Sequence, residues 1–209
     1  SNSKAYYNLG NCYYRKLDYD NAIASYNKTI SLDPYNSKAY YNKGNILFIK
    51  GDNANSIACY EQSIKIDPFF ANGYFNLGKT YLRTGEYDLA KNNFQKAIEI
   101  DPKFSQAYCN LGKAYIMQNN TAEAVKCLKK SLDMGFEDAD TYYYLALAYG
   151  KGGKDDAAIY NALQAIKINP SHSQSYLLLS LSYQKMGDKG KASHYKEAYD
   201  AITKGNSSN

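Results

Sequence analysis

Apolar residues recur along the chain with the period of an amphipathic helix. Four of them near the start lie at i, i+3, i+4 and i+7, and therefore share one helix face: Tyr6, Leu9, Gly10 and Tyr13. A second set with helical spacing follows a short polar segment: Ala22, Ile23, Tyr26 and Ile30. An Asp-Pro pair comes next, and proline cannot continue the helix of the residues before it. The pattern predicts two helices joined by a short turn.

This pair of helices is repeated every 34 residues. Pro34, Pro68 and Pro102 are 34 residues apart, and Pro170 lies two further periods on. A column of small residues keeps the same spacing: Gly10, Gly44, Gly78, Gly112, Ala146 and Ser180. We therefore divide the chain into six repeats without insertions: residues 3–36, 37–70, 71–104, 105–138, 139–172 and 173–206.

The turn inside each repeat is predicted from residues that tolerate a left-handed backbone. Glycine does so freely and asparagine to a lesser degree. The first helix of each repeat should end near these positions: Leu17, Gly51, Gly85, Asn119, Gly153 and Gly187. The small column should allow close approach of neighbouring helices.

One helix pair cannot bury its own apolar face, whereas a stack of pairs can. We therefore predict a single domain over residues 1–209, with a flexible tail at residues 205–209. The last repeat carries polar side chains where the first has apolar ones, which indicates a solvated capping helix: Ser193, Lys196 and Asp200.

These columns resemble the tetratricopeptide repeat, which places an aromatic, Leu-Gly, Tyr, Ala, an aromatic and Pro within 34 residues. The resemblance covers residues 3–206, with Lys43 in place of the expected Leu and no proline at the end of the fourth repeat. It implies an all-α fold, a right-handed superhelical solenoid of helix-turn-helix repeats. It also implies a concave groove, lined by the first helices, that binds an extended peptide or a helix of a partner protein.

One column facing away from the apolar stripe is rich in asparagine: Asn8, Asn42, Asn76 and Asn110. An asparagine amide can both donate and accept hydrogen bonds, so a row of them could hold a peptide backbone. The column resembles the asparagine ladder in the repeats of O-linked N-acetylglucosamine transferase. The alternative is that asparagine is simply abundant in this chain. Asn11 and Asn45 follow the ladder on the same face.

Aromatic and basic side chains accompany the ladder. Tyr7, Tyr41 and Phe75 are candidates for apolar pockets, and packing between repeats is the alternative. The first helices carry many cations and one acid, Asp140, which favours an acidic partner. The cations assigned to the peptide-binding site are Lys79, Lys113 and Arg83, of which Lys79 and Lys113 lie mid-helix.

The composition of the chain argues against nucleic-acid binding, metal binding and catalysis. The net charge of +5 without a dense basic run argues against nucleic-acid binding. Four cysteines without a Cys-x-x-Cys pair and only two histidines argue against metal sites, and no cofactor is expected. No combination of nucleophile and base suggests an enzyme. We expect a non-catalytic interaction scaffold, with the substrate-recruiting arm of a larger enzyme, such as a glycosyltransferase, as the alternative.

Three further features of the sequence bear on its membrane association, its completeness and its compartment. No apolar run is long enough to span a membrane. The absence of an initial methionine suggests a fragment of a longer protein, with an uncapped first repeat that could self-associate. Unpaired cysteines are typical of a reducing compartment, so we expect a cytoplasmic protein.

Overall fold

The computed structural model describes residues 2–206, and all regular secondary structure in that part of the chain is α-helical. The helices follow one another in pairs: α1 Asn2–Arg15, α2 Tyr19–Leu32, α3 Ser37–Ile49, α4 Asn53–Ile66, α5 Ala71–Thr84, α6 Tyr87–Ile100, α7 Ser105–Met117, α8 Thr121–Asp133, α9 Ala139–Lys151, α10 Asp155–Ile168, α11 Ser173–Lys185 and α12 Lys189–Asn206. The predicted all-α fold of helix-turn-helix repeats is confirmed. Residues 205 and 206, predicted to begin the tail, end α12, and residues 207–209 lie outside the described residues.

The turns between paired helices have the predicted left-handed backbone. Gly51, Gly85, Gly153 and Gly187 have φ angles of 80°, 86°, 72° and 83°. At the same position Leu17 has a φ of 60° and Asn119 a φ of 59°. Several second helices then begin at a capping carboxylate. The Asp52 side chain, for example, accepts a hydrogen bond from the backbone N–H of Asn55 at 3.3 Å.

The small column lies where the two helices of a repeat meet. Each of its four glycines faces one large side chain of the second helix: Gly10 faces Tyr26, Gly44 faces Tyr60, Gly78 faces Phe94 and Gly112 faces Leu128. A Cβ atom at any of the four would lie within 3.0 Å of that side chain. The glycine column is therefore a packing requirement.

The chain forms two compact units, a first that ends at Phe104 and a second that begins at Ser105. The first contains α1–α6, and its largest fully buried side chains include Tyr26, Tyr60 and Phe94. Leu9, predicted as core, is 42% exposed, whereas Leu77 at the same repeat position is 3% exposed. The difference arises because α4 packs against α5, while no helix precedes α1 among the described residues.

The second unit contains α7–α12. One cluster of its core joins Ile116, Leu128 and Leu145, and another joins Ala146, Ala162 and Leu179. Of the three polar residues behind the capping-helix prediction, Ser193 and Lys196 of α12 are exposed and Asp200 is half-buried.

Candidate functional site

The first helices of the first unit, α1, α3 and α5, contribute most of the lining of a pocket of about 290 Å³. The lining residues come from three successive repeats: Tyr14, Asn45, Phe48, Ile49, Tyr60, Asn76 and Lys79. We call this cavity the unit 1 pocket. It combines aromatic and aliphatic walls with two amides and one ammonium group, a mixture typical of a binding pocket.

A hydrogen-bond network fixes the two amides of the unit 1 pocket. The Asn76 amide nitrogen donates to the Tyr41 hydroxyl at 3.0 Å and to the Asn45 amide oxygen at 2.9 Å. The Tyr60 hydroxyl also donates to the Asn45 amide oxygen, at 2.8 Å. The network thus joins α3, α4 and α5 through four side chains.

The same network occurs one repeat earlier. The Asn42 amide nitrogen donates to the Tyr7 hydroxyl at 3.1 Å and to the Asn11 amide oxygen at 3.0 Å. The Tyr26 hydroxyl donates to that oxygen at 2.8 Å. Burial raises the pKa of Tyr26 to about 12, so its hydroxyl stays protonated and remains a donor at neutral pH.

The four ladder asparagines therefore lie in three different environments. Asn42 and Asn76 use both amide hydrogens inside the protein. Asn8 is exposed. Asn110, in the second unit, donates to the backbone carbonyl of Gln106 in its own helix at 2.9 Å.

The aromatic candidates lie with their rings against other aromatic side chains. Tyr7 contacts Tyr26 at a ring-centroid distance of 6.0 Å. Tyr41 packs edge-on against Phe70 at 4.8 Å, and Phe75, which is 9% exposed, packs against Phe104 at 4.7 Å. The rings of Tyr41 and Phe75 thus contribute to the packing of the first unit.

Two cations surround the Phe48 ring of the unit 1 pocket. The Lys79 ammonium lies 5.3 Å from the ring centroid, and the Arg83 guanidinium lies 3.5 Å from it. Arg83 also donates to the Phe48 backbone oxygen at 2.8 Å and to the Asn53 side chain. Arg83 thus links α5 to the carboxyl end of α3, and Lys79 is the cation that lines the pocket.

In the second unit, the equivalent first-helix positions are more apolar. The Lys113 ammonium lies 4.8 Å from the centroid of the Tyr144 ring. A shallow pocket of about 230 Å³ is lined partly by Leu147, Leu178 and Leu181. The lysines at its edges are paired: Lys185 with Asp155 at 2.8 Å, and Lys151 with the Asn119 amide oxygen at 2.9 Å.

One cluster in the second unit has the composition of a catalytic triad. His172 lies 2.8 Å from the Ser175 hydroxyl through Nδ1 and 2.9 Å from the Asp140 carboxylate through Nε2. Ser175 is completely buried, so its hydroxyl has no room for a substrate. The cluster instead joins α9 to the start of α11.

Three further observations concern thiol reactivity, metal binding and membrane insertion. Burial raises the pKa of the Cys109 thiol to about 12, which keeps it protonated and unreactive. Within residues 2–206, no group of three or more His, Cys, Asp or Glu side chains is arranged to hold a metal ion. None of the helices in that range has the length and apolar character needed to cross a membrane.

Sequence reasoning missed the part played by Tyr26 and Tyr60. Tyr26 was assigned to the apolar stripe, and Tyr60 is its equivalent in the second repeat. Both rings are buried, but their hydroxyls reach the asparagines of the first helices. The sequence does contain a signal for this network, because the same four residue types occur twice at equivalent repeat positions. Tyr7, Asn11, Tyr26 and Asn42 recur as Tyr41, Asn45, Tyr60 and Asn76.

Comparison with known proteins identifies the fold. The family model described as the cilia and flagella-associated protein 70 C-terminal domain matches residues 1–208. No curated protein sequence matches the chain.

Solved structures agree with this match. MamA is 28% identical, with 79% of this chain and 97% of MamA covered and a TM-score of 0.70. PilW, described as a type IV pilus biogenesis factor, is 23% identical, with coverage of 96% and 93% and a TM-score of 0.84. YrrB, described as a TPR protein with an unusual peptide-binding site, is 19% identical, with coverage of 85% and 91% and a TM-score of 0.69. The expected tetratricopeptide-repeat fold is confirmed.

Proposed function

Since the chain belongs to the family of the cilia and flagella-associated protein 70 C-terminal domain, we propose that it is a non-catalytic scaffold that binds an acidic linear segment of a partner protein. The proposed binding surface is the first-helix face of the first unit, centred on the unit 1 pocket. The surface is defined by the pocket-lining residues and by the first copy of the tyrosine–asparagine network.

The observation that carries this proposal is the composition of the unit 1 pocket. Its walls hold three aromatic rings and one isoleucine, and its polar groups are two amides and the Lys79 ammonium. No carboxylate is among the lining residues. The pocket can therefore accommodate a side chain while amides and a cation contact neighbouring polar groups of the same segment.

Charge favours an acidic occupant. Lys79 and Arg83 both lie against the Phe48 ring, so two positive charges are close to the pocket. An acidic residue entering beside Phe48 would gain favourable electrostatic energy, and a basic residue would be repelled. YrrB supplies a parallel, since it is described as a tetratricopeptide-repeat protein with a peptide-binding site.

A peptide array tests this proposal. The labelled full chain is incubated with arrays of twelve-residue peptides that carry an acidic, neutral or basic centre in otherwise identical contexts. We expect acidic peptides to bind best, and Lys79→Gln to weaken that binding by about three- to tenfold. Lys96→Gln, at an exposed position of α6, is the matched control. No binding on any array, or equal binding to acidic and basic arrays, would contradict the proposal.

A further inference from the structure

A second cavity of the first unit, of about 540 Å³, lies between α3 and α4. We call it the α3–α4 groove, and its lining residues come from these two helices: Tyr40, Lys43, Leu47, Asn55, Ala58, Cys59 and Gln62. At about 100° per residue, its α3 residues share one helix face, whereas Asn45, Phe48 and Ile49 of the unit 1 pocket lie on the opposite face. The two cavities therefore open on different sides of α3.

The second unit contains a groove at the same repeat positions, between α9 and α10. Its volume is about 470 Å³, and part of its lining lies three repeats after the residues of the α3–α4 groove: Tyr142, Leu145, Tyr149, Ala157, Tyr160 and Asn161. The charged residue of the first groove, Lys43, is replaced by Leu145 in the second. The groove is thus a regular product of the helix pair, and Lys43 gives its first copy a different chemistry.

Lys43 occupies a position that is apolar in every other repeat. The equivalent residues are all leucines: Leu9, Leu77, Leu111, Leu145 and Leu179. From the third repeat to the sixth, this leucine is at most 5% exposed. A half-buried lysine can place its hydrocarbon stem there, but its ammonium group then needs water or an acceptor. Lys43 therefore introduces a positive charge where the fold otherwise buries hydrocarbon.

No carboxylate of the described chain is paired with this charge. Within residues 2–206, Lys43 forms no ion pair and no side-chain hydrogen bond. Its charge still acts on the groove wall, since burial raises the pKa of the Cys59 thiol and Lys43 opposes that increase. Asp52 also acts on Cys59, but its carboxylate accepts hydrogen bonds from the backbone and side-chain amides of Asn55. The groove therefore holds a positive charge without a counter-ion from the protein.

Two other side chains of the α3–α4 groove carry hydrogen-bond donors. The Tyr40 hydroxyl and the Gln62 amide line the groove, and neither makes a side-chain hydrogen bond within residues 2–206. Tyr40 lies one helical turn before Lys43 on α3, and Gln62 lies one turn after Cys59 on α4, so each is a neighbour of the charged region. A hydroxyl, an ammonium and an amide can all donate to carboxylate oxygens, which only accept.

We propose that the α3–α4 groove binds a carboxylate side chain of a partner protein, with Lys43 as the counter-ion and Tyr40 and Gln62 as hydrogen-bond donors. One lysine matches the single charge of a carboxylate, whereas a phosphate group carries up to about two charges. The cavity is much larger than a carboxylate group, and Leu47 and Ala58 supply an apolar wall. Both features favour an acidic residue beside an apolar one over a free anion. This site is separate from the unit 1 pocket and does not depend on the proposed function.

Titration of the ¹⁵N-labelled full chain tests the proposal, with the side-chain NH₂ signals of Gln62 as the readout. The probes are the dipeptide acetyl-Leu-Glu-amide, its glutamine analogue, sodium acetate and inorganic phosphate. We expect the glutamate dipeptide to shift these signals saturably, and the other three probes to bind about tenfold more weakly or less. An equal affinity of the glutamine dipeptide or of phosphate would overturn the carboxylate assignment. An equal affinity of acetate would overturn the partner-protein source, and no saturable shift would overturn the site.

Protein variants make the test specific to Lys43. Lys43→Leu introduces the residue type of the other five repeats, so it should fold, and it should weaken the glutamate dipeptide by about tenfold or more. Lys43→Gln, which keeps a polar side chain, should weaken it similarly. Lys38→Gln, at an exposed position of the same helix, is the matched control and should change the affinity little. Equal losses in Lys38→Gln and Lys43→Leu would reduce the effect to general charge attraction and overturn the proposal.

One further variant separates this site from the unit 1 pocket. Lys79→Gln should leave the dipeptide-induced shift of Gln62 unchanged, because Lys79 lines only the other cavity. If Lys79→Gln abolished that shift, the dipeptide would be binding at the unit 1 pocket, and this inference would fail while the proposed function stood. If the array peptides failed to bind and the Gln62 shift persisted, the proposed function would fail and this site would stand.

Discussion

The glycines of the first helices are matched in size to the residues that they face. Gly112 faces Leu128, and a Cβ at Gly112 would lie 2.6 Å from the Leu128 Cγ and 3.2 Å from the Ala124 carbonyl oxygen. One repeat later, Ala146 and Ala162 occupy the equivalent positions, and both are fully buried. A larger residue on the first helix is thus found where the residue on the second helix is smaller.

This size matching predicts a non-additive pair of substitutions. Gly112→Ala should destabilise the protein by about 1–3 kcal/mol through overpacking. In a Leu128→Ala background the same change should cost much less, because the added methyl group fills part of the cavity. Urea unfolding of the four proteins measures the coupling.

Gly150→Ala is the matched control for this prediction. Its Cβ would meet nothing closer than the Ala158 Cβ at 3.7 Å, so the change should stabilise α9 by about 0.5–1 kcal/mol. An equal cost of Gly112→Ala in both backgrounds would show that Leu128 is not what excludes a larger residue.

Leu17 is a strained residue in a position that glycine fills in four other repeats. Its φ of 60° costs a leucine roughly 1–2 kcal/mol, and its side chain is 69% exposed, so little packing would be lost on truncation. Leu17→Gly should therefore raise the free energy of unfolding by about 1 kcal/mol. Asn119→Gly should change it by much less, since asparagine tolerates this conformation. A loss of stability in Leu17→Gly would mean that the side chain makes contacts that outweigh the strain.

Helices of successive repeats are joined by polar contacts as well as by apolar packing. Tyr26 of α2 donates to Asn11 of α1, which in turn accepts from Asn42 of α3. Arg83 of α5 donates to the last turn of α3. Asn45 and Asn76, which occupy the positions of Asn11 and Asn42 one repeat later, line the unit 1 pocket, so the proposed binding site includes residues that also join the helices.

Because Tyr26 is buried, we expect the protein to lose stability at alkaline pH. Burial raises the pKa of Tyr26 from 10.0 to about 12, so the unfolded chain gives up this proton more readily than the folded chain. The stabilisation is complete below pH 10 and is lost as the pH rises from 10 towards 12. Tyr26→Phe should be less stable at pH 8, because Asn11 loses a donor, but should lose less stability on going to pH 11.

Thermal unfolding between pH 8 and pH 11.5 measures this effect. Tyr35→Phe, which changes a tyrosine that is 81% exposed, is the control and should follow the wild-type curve. An identical pH dependence in Tyr26→Phe and the wild type would contradict the assignment of the alkaline transition to Tyr26.

Helix ends were predictable because they depend on local backbone chemistry. The left-handed turn positions, including Leu17, follow from the 34-residue register, and the small column follows from the need for close helix contact. The pairing of Asn42 with Asn11 was not predictable in the same way. It joins residues of different repeats, and it depends on the orientation of side chains that the pattern of polar positions does not specify.

The surroundings of the aromatic candidates also depend on side-chain orientations that the sequence pattern does not specify. Tyr41 lies beside the ladder in the sequence register, which allowed either an exposed pocket or internal packing. In the structure its ring contacts Tyr60 and Phe70, while its hydroxyl accepts from Asn76. A tyrosine can serve both purposes because its ring is apolar and its hydroxyl is polar.

For the whole molecule, the excess of positive charge predicts salt-dependent association. The net charge is +5, and the first helices carry most of the unbalanced cations. The affinity for an acidic array peptide should therefore fall as ionic strength rises from 0.05 M to 0.5 M, mainly through a slower association rate. Stopped-flow fluorescence measures this rate. Lys79→Gln should show a weaker salt dependence, and a rate that is independent of salt would contradict an electrostatic preference.

The most direct test is a titration of the ¹⁵N-labelled chain with the best acidic array peptide, followed through the asparagine side-chain NH₂ signals. The signals of Asn11 and Asn45 should shift with the same dissociation constant, while that of Asn92 stays in place. Binding that leaves Asn11 and Asn45 unshifted, or that shifts only signals of the second unit, would contradict the proposed site.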